Sequence, residues 1–413
     1  MSQTNTRPPD AEADWTESAQ PQQSDDARPV ILQVVPSLVT GGVERGAVDI
    51  AAAVVEAGGT AIVASEGGPM ERELKRAGAL HLTLPLASKN PFVMYRNIDR
   101  LTRVIKAYKV DLVHARSRAP AWSARSAARR CGCHLVTTFH APYNQRSYLK
   151  RRYNAIMLSG ERVIAISDFI AEHIRDTYKV DPAKIQVIHR GVDLRSFDPE
   201  KVSAERMIKL ATDWRVPDGI PFIILPGRLT RWKGHGLLLK ALTYLKDLDF
   251  RCALVGSDQG RSAYRNELES LIQRYDLADR TFILDHCNDM PAAYMLADVV
   301  VSASSDPEGF GRVVSEAQAL GRPVAASDHG GAREQVIADR TAFLFPSGDA
   351  EALADALRRA LSLTSQEREM LSFEAVQHVR RHYSRELMCS RTIDLYRDVL
   401  EGGTPPKAGE ASA

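Results

Sequence analysis

The chain has 413 residues, 26% of them charged, and its 54 basic and 52 acidic side chains leave a formal net charge of +2. That length exceeds one ordinary hydrophobic core, so two domains are expected, and the balanced charge gives no global reason to expect nucleic-acid binding. No apolar run approaches the roughly 18 residues that cross a bilayer. The N-terminus also lacks a basic-then-apolar leader, and five scattered cysteines suit a reducing compartment, so a cytoplasmic location is expected.

Residues 1–28 are rich in Pro, Gln, Asp and Ser and read as a disordered tail. An acceptor-side domain is then expected over 29–200. Apolar runs at 30–35, 61–65, 81–84, 111–115, 135–139, 163–166 and 186–188 alternate with helical patterns, the signature of a parallel sheet wrapped by helices. Gly41 and Gly42 follow the first run and open a helix, with Glu44 just beyond. Without side chains there, backbone N–H groups can approach an anion; a plain tight turn is the alternative. The spacing is not the Gly-x-Gly-x-x-Gly dinucleotide fingerprint.

Arg116 and Arg118 end the fourth run, as contacts to an acidic acceptor or as structural ion-pair partners. Cys131, Cys133 and His134 have no second ligand pair nearby, so reduced thiols are expected there rather than a metal. His140 stands just past the fifth run, within reach of a sugar hydroxyl or as a cap for the next helix. Arg146, Lys150, Arg151 and Arg152, interleaved with Tyr148 and Tyr153, form a basic stretch, and Arg125, Arg129 and Arg130 add charge. It reads either as a solvated face or as contact with an anionic membrane. Ser167 and Asp168 read as a helix cap.

Proline and glycine density over 193–221 marks a linker region, with a charged helical segment inside it. A second domain is expected over 201–383, with runs at 222–225, 252–255, 281–284, 299–302, 324–326 and 342–345. Gly227, Arg228, Arg231, Lys233 and Gly234 follow the first of these, and basic groups on a strand-to-helix turn suit a pyrophosphate. Gly256 ends the next strand, where it should flank a nucleotide, and 284–290 should lie near its base. Asp306-Pro307-Glu308-Gly309-Phe310-Gly311-Arg312 precedes a helical pattern at 313–320 that carries Glu316, about two turns in. Both carboxylates can face a ligand whose phosphates gain from the helix start; a surface loop plus one helical Glu is the bland alternative. Helices at 365–382 and 385–400 close the pattern, and 401–413 reads as a second disordered tail. Two doubly wound α/β domains facing a cleft follow, with the motifs at the carboxyl ends of the strands, where such folds bind ligands.

These motifs together resemble the retaining glycosyltransferases of family 4, which have the GT-B fold; the likeness covers about 30–400. Glu308 and Glu316 match the family's E-x7-E motif, Gly227, Arg228, Lys233 and Gly234 its phosphate-binding stretch, and Gly41, Gly42 and Glu44 its early glycine turn. His140 matches a histidine the family places near the donor sugar. Arg190-Gly191-Val192-Asp193 matches a junction turn with Arg in place of Asn.

The resemblance implies that the terminal helix, 384–400, crosses back onto the first domain near Tyr383 and Ser384. It also implies that a UDP-, GDP- or ADP-sugar donates a hexose, with retention, to a glycan or lipid-linked acceptor. The commonest setting for such chains is bacterial lipopolysaccharide or envelope polysaccharide synthesis, as a cytoplasmic protein at the inner face of the membrane. His140, Arg228, Lys233 and Glu308 are then the expected catalytic group. Gly41, Gly42, Gly227, Gly256, Gly309, Phe310, Gly311 and Glu316 would bind the donor, with no metal and no cofactor. A sugar-nucleotide epimerase of the same fold and a non-catalytic sugar-nucleotide-binding protein are the rival readings.

Overall fold

A computed structural model describes residues 28–39, 41–143 and 147–402. The expected tails at 1–28 and 401–413 therefore lie outside it apart from Arg28, Glu401 and Gly402, and Arg146 of the basic stretch is also outside. Thirteen strands form two all-parallel sheets among the described residues. The first contains β1 Val30–Val34, β2 Thr60–Ser65, β3 Leu80–Thr83, β4 Leu112–Ala115, β5 His134–Phe139, β6 Arg162–Ala165 and β7 Ile185–Val187, in the order β3-β2-β1-β4-β5-β6-β7. The second contains β8 Phe222–Pro226, β9 Arg251–Val255, β10 Thr281–Leu284, β11 Val299–Ser302, β12 Val324–Ser327 and β13 Phe343–Phe345, in the order β10-β9-β8-β11-β12-β13. Central strands such as β4, β8 and β11 are buried along their whole length. That is why they read as predominantly apolar runs, with a lone His114 in β4 and Ser302 at the end of β11, rather than as alternating ones.

In each sheet the strand order reverses beside the first strand. β1 pairs with both β2 and β4, with Val34 opposite Ala115, and β8 pairs with both β9 and β11, with Ile224 opposite Val300. The loops leaving these strands open a crevice at the carboxyl ends. Gly41–Gly42 and Arg116 lie at the first crevice, Gly227–Lys233 and Glu308–Gly311 at the second.

The linker region contains the charged helix expected within it. That helix, Ala204–Trp214, lays Met207, Leu210 and Trp214 against the core of the second domain. The C-terminal chain returns to the first domain. Val192 bridges Ser384, and the Val192 amide donates to the Tyr383 carbonyl at 2.8 Å. The last helix, Arg385–Gly402, runs two residues past the expected end. It buries Met388, Leu395, Tyr396 and Val399 with Val48, Ile50 and Val54 of helix Gly42–Glu56. Each such side chain contributes about 1.5–3 kcal/mol relative to exposure. No helix among the described residues is long and apolar enough to cross a membrane.

Candidate functional site

The Glu308 loop is built by what flanks it. Its helix, Arg312–Ala319, starts only after Gly311, whose φ of 87° is a left-handed conformation that side chains disfavour. Glu316 is consequently the fifth residue of that helix, one turn in rather than two. The loop is fastened from behind: the Gly331 amide donates to the Glu308 carbonyl at 2.9 Å, and Gln335 Nε2 donates to the Phe310 and Gly331 carbonyls.

Lys233 and Glu308 meet. Lys233 Nζ lies 2.8 Å from Glu308 Oε1, and the Ser304 hydroxyl donates to the same oxygen at 2.5 Å. Both partners of the ion pair are about one-seventh exposed. Glu308 Oε2 has no partner among the described residues. Gly227 packs directly against the lysine stem, a Cβ position there lying 3.4 Å from Lys233 Cδ. Gly256 lets two turns touch, because its Cβ would fall 1.9 Å from the Gly227 carbonyl oxygen. Arg228, by contrast, is exposed and makes no ion pair among the described residues.

Glu316 is engaged elsewhere. It accepts a 2.9 Å hydrogen bond from the hydroxyl of buried Tyr294 and lies 3.8 Å from Arg312. Neither partner was foreseen from sequence; Tyr294 precedes Glu316 by 22 positions and only the packing of their two helices joins them. The Arg312 guanidinium faces the other domain, with Nε 3.6 Å from where a Gly42 Cβ would be. A Cβ at Gly41 would collide with the Glu44 carboxylate. Phe310 turns its ring away from the crevice into the domain junction, against Tyr383 and His189 at 5.7 and 6.4 Å between ring centroids.

His140 stands at the end of β5, opposite Gly309. A Cβ on Gly309 would meet the His140 carbonyl oxygen at 2.4 Å, so only glycine permits this approach of the two domains. Arg190 Nη2 donates to His140 Nδ1 at 2.9 Å, which places the ring proton on Nε2. That Nε2 is buried without a hydrogen-bond partner among the described residues. Burial, then the charges of Arg190 and Arg116, hold the imidazole pKa well below its ordinary value, with the Arg116 carbonyl pulling weakly the other way. The ring is therefore a neutral hydrogen-bonding group near pH 7.

Other predicted positions are occupied otherwise. Arg116 and Arg118 form no ion pairs among the described residues: Arg116 reaches Gln33 at 3.3 Å, and Arg118 donates to Asn154 at 2.8 Å while lying over the Tyr143 ring. His134 pairs with Glu161 at 2.9 Å, and burial pushes the Cys133 thiol up to about 12. Asp289 caps helix Met290–Leu296 and pairs with Arg206. Ser167 caps helix Asp168–Tyr178 and also donates to the Gly309 carbonyl at 2.6 Å. Asp168, His189 and Glu334 bring three potential metal-ligand atoms within 4.8 Å of one another. However, Glu334 already accepts from the Asp168 and Phe169 amides.

Comparison with known proteins places this arrangement. Residues 40–196 match the description "Glycosyltransferase Family 4" and residues 209–377 match "Glycosyl transferases group 1". A glycosyltransferase from Rickettsia africae is 38% identical in sequence, with a TM-score of 0.85 over 91% of this chain and 100% of that one. HepE of Anabaena, solved with UDP-glucose, shares the fold at 22% identity and a TM-score of 0.78, covering 89% of this chain and 99% of its own. Among curated relatives, a D-inositol 3-phosphate glycosyltransferase of Xylanimonas cellulosilytica is 31% identical over 61% of this chain and 64% of its own. The same-named protein of Corynebacterium urealyticum is 30% identical over 62% and 60%. The chain thus spans about three-fifths of the length of these curated relatives. With two parallel-sheet domains, a returning C-terminal helix and these matches across both halves, the chain belongs to the family 4 type of glycosyltransferases with the GT-B fold.

Proposed function

We propose that the protein transfers a hexose from a nucleotide-diphosphate sugar to a hydroxyl of a glycan or lipid-linked saccharide, with retention of configuration. The observation that carries this reading is the Lys233–Glu308 pair at the reversal point of the second sheet. A cation and a carboxylate side by side match the two halves of such a donor. On binding, Lys233 exchanges Glu308 for a phosphate oxygen, Arg228 swings in from solvent as a second cation, and Glu308 accepts from sugar hydroxyls. Glu316, held by Tyr294, takes the ribose; the glycines at 41, 42, 227, 256, 309 and 311 let backbone come close; and His140 offers Nε2–H to the sugar.

In the reaction the acceptor oxygen bonds to the anomeric carbon. The bond from that carbon to the diphosphate breaks, with its electron pair leaving on the diphosphate. The acceptor proton passes to the departing phosphate oxygen. Fixed positive charge from Arg228 and Lys233 stabilises the leaving group, the role a metal ion plays in other transferases.

The setting proposed is envelope polysaccharide or lipopolysaccharide assembly at the inner face of a membrane. The exposed Tyr148 and Leu149 beside Lys150 and Arg152 support it, since apolar tips flanked by cations suit an anionic interface. The names of the curated relatives favour a second acceptor, a small phosphorylated polyol.

Donor binding raises the melting temperature by mass action, so UDP-, GDP- and ADP-sugars are screened first, with UDP-glucose at the head. Transfer is then assayed with membrane extract and with inositol phosphate as acceptors. Lys233→Ala is expected to lower transfer about 100-fold or more while circular dichroism shows a folded chain. Silence across all donors, or near-normal transfer by that variant, overturns the reading.

A further inference from the structure

Beneath the glycine turn of the first domain lie two arginines that no carboxylate pairs with directly among the described residues. Arg116, from the end of β4, and Arg190, just past β7, are 3% and 6% exposed. Their guanidinium groups crowd one spot: a Cβ on Gly46 would lie 2.1 Å from Arg190 Nη1 and 2.7 Å from Arg116 Nη2. Glycine at 46 is what leaves that space open. Their side-chain contacts among the described residues are the amide oxygen of Gln33 and the imidazole of His140, neither of them an anion. Arg116 Nε is buried with no hydrogen-bond partner among the described residues.

The nearby acids do not resolve this. Asp49 and Glu44 act on the pair through space, but Asp49 is itself pushed up to about 6 by burial. Neither carboxylate forms an ion pair or hydrogen bond with the two guanidinium groups among the described residues, so their remaining N–H groups stay open. A third cation, Arg312 of the second domain, adds to the repulsion felt by Arg190. Together with burial and Arg116, it draws the Arg190 guanidinium down to about 9. Two like charges in a buried place with open hydrogen-bonding capacity are a poor arrangement for stability alone. They are a good one for holding a planar or tetrahedral oxyanion by paired N–H groups.

The location fits a substrate group. Arg190 touches His140, and His140 backs onto Gly309 of the Glu308 loop. We infer that Arg116 and Arg190 form a seat for an oxyanion, carboxylate or phosphate, carried by the sugar substrate, and so select an acidic saccharide over a neutral one. This rests on the nucleotide-sugar reading above and is distinct from the diphosphate site at Arg228 and Lys233. The anion comes either on the acceptor or on the donor sugar.

The test uses the full chain saturated with the nucleotide diphosphate chosen by the donor screen, so that the Lys233 site is filled. Inorganic phosphate and free glucuronate are titrated calorimetrically into wild type, Arg116→Gln, Arg190→Gln and Gly46→Ala. In parallel, the matching nucleotide uronate is compared with the nucleotide hexose, for a uridine enzyme UDP-glucuronate against UDP-glucose. An anion on the acceptor gives phosphate or glucuronate binding to the nucleotide complex that weakens at least tenfold in both Gln variants, with the two donors bound alike. An anion on the donor gives a uronate advantage of at least tenfold that disappears in Arg190→Gln. Gly46→Ala keeps both charges but displaces them, and serves if a Gln variant does not fold.

Two results overturn the inference: no anion effect in wild type, or an effect equal in all variants. A wild type that binds no nucleotide or nucleotide sugar instead defeats the transferase reading. The phosphate titration of the unliganded chain and its variants then still reports on the arginine pair.

Discussion

Glu308 illustrates how one side chain is readied for two partners. Lys233 and Ser304 both use Oε1, which fixes the carboxylate and leaves the other oxygen open. Glu308→Gln keeps the shape but removes the charge that Lys233 faces. Nucleotide diphosphate affinity is expected to hold within about twofold or rise, while transfer falls about 10–100-fold, because the lost contact is to the sugar and not to the phosphates. Steady-state assays beside calorimetric nucleotide binding check this. His235 presents a different residue-scale effect. It opens helix His235–Leu242, fully buried against Tyr264, with no well-formed hydrogen bond to either ring nitrogen among the described residues, though the Thr230 and Gly227 backbone lies close to the ring. Burial first, opposed by the Thr230 and Gly227 backbone and aided by the Lys233 charge, lowers its pKa to about 4.

The unfolded histidine titrates near 6.5, so below that pH the unfolded chain takes up a proton that the folded chain refuses. Stability from this group is present above pH 6.5 and is lost as pH falls toward 4. Between pH 7.5 and 5.5 the loss is about 1.4 kcal/mol. Urea unfolding of wild type and His235→Phe at the two pH values is expected to show the difference between them shifting by about that amount, in favour of the variant at pH 5.5.

At the scale of elements, helix Asp168–Tyr178 is capped twice, and the two caps were unequally visible. Ser167 at the helix start is a local signal, and it accepts from the Ile170 amide. Glu334 supplies the second cap to the Asp168 and Phe169 amides from 166 and 165 positions away, a distance no sequence window spans. The carboxylate also suits the positive end of the helix dipole. Glu334→Ala is expected to lower unfolding free energy by about 1–2 kcal/mol, and Glu334→Gln, which keeps an acceptor oxygen, by less. The same limit hid the partner of Glu316 and the contact of Arg190 with His140. The departure at 190 from the family's Asn was readable; the place the guanidinium goes was not.

Across the whole molecule, the two domains meet through a few tight contacts: Ser167 on the Gly309 carbonyl, the Glu334 cap, and Phe310 and Tyr383 inserted between the cores. Gly309→Ala places a methyl group 2.4 Å from a backbone oxygen of the other domain, which cannot yield as a side chain would. Small-angle scattering is expected to show a larger radius of gyration for this variant in the presence of donor. Transfer should fall while nucleotide affinity, which the proposed function assigns to the second domain, is retained.

The sequence by itself determined the architecture. Strands buried on both faces are mostly apolar, and helices between them must keep one apolar stripe, so all thirteen strands and their alternation were written in local composition. It also carried the residue types at the strand ends, because glycines and cations on strand-to-helix turns are local features. Only the tertiary structure decided which of those residues touch: Lys233 with Glu308, Tyr294 with Glu316, Arg190 with His140, and Phe310 with the junction rather than the crevice. Parallel sheets join strands through long crossovers, and their order, β1 beside β4 and β8 beside β11, is set by global packing. Contacts made across that order have no signature in the neighbouring residues.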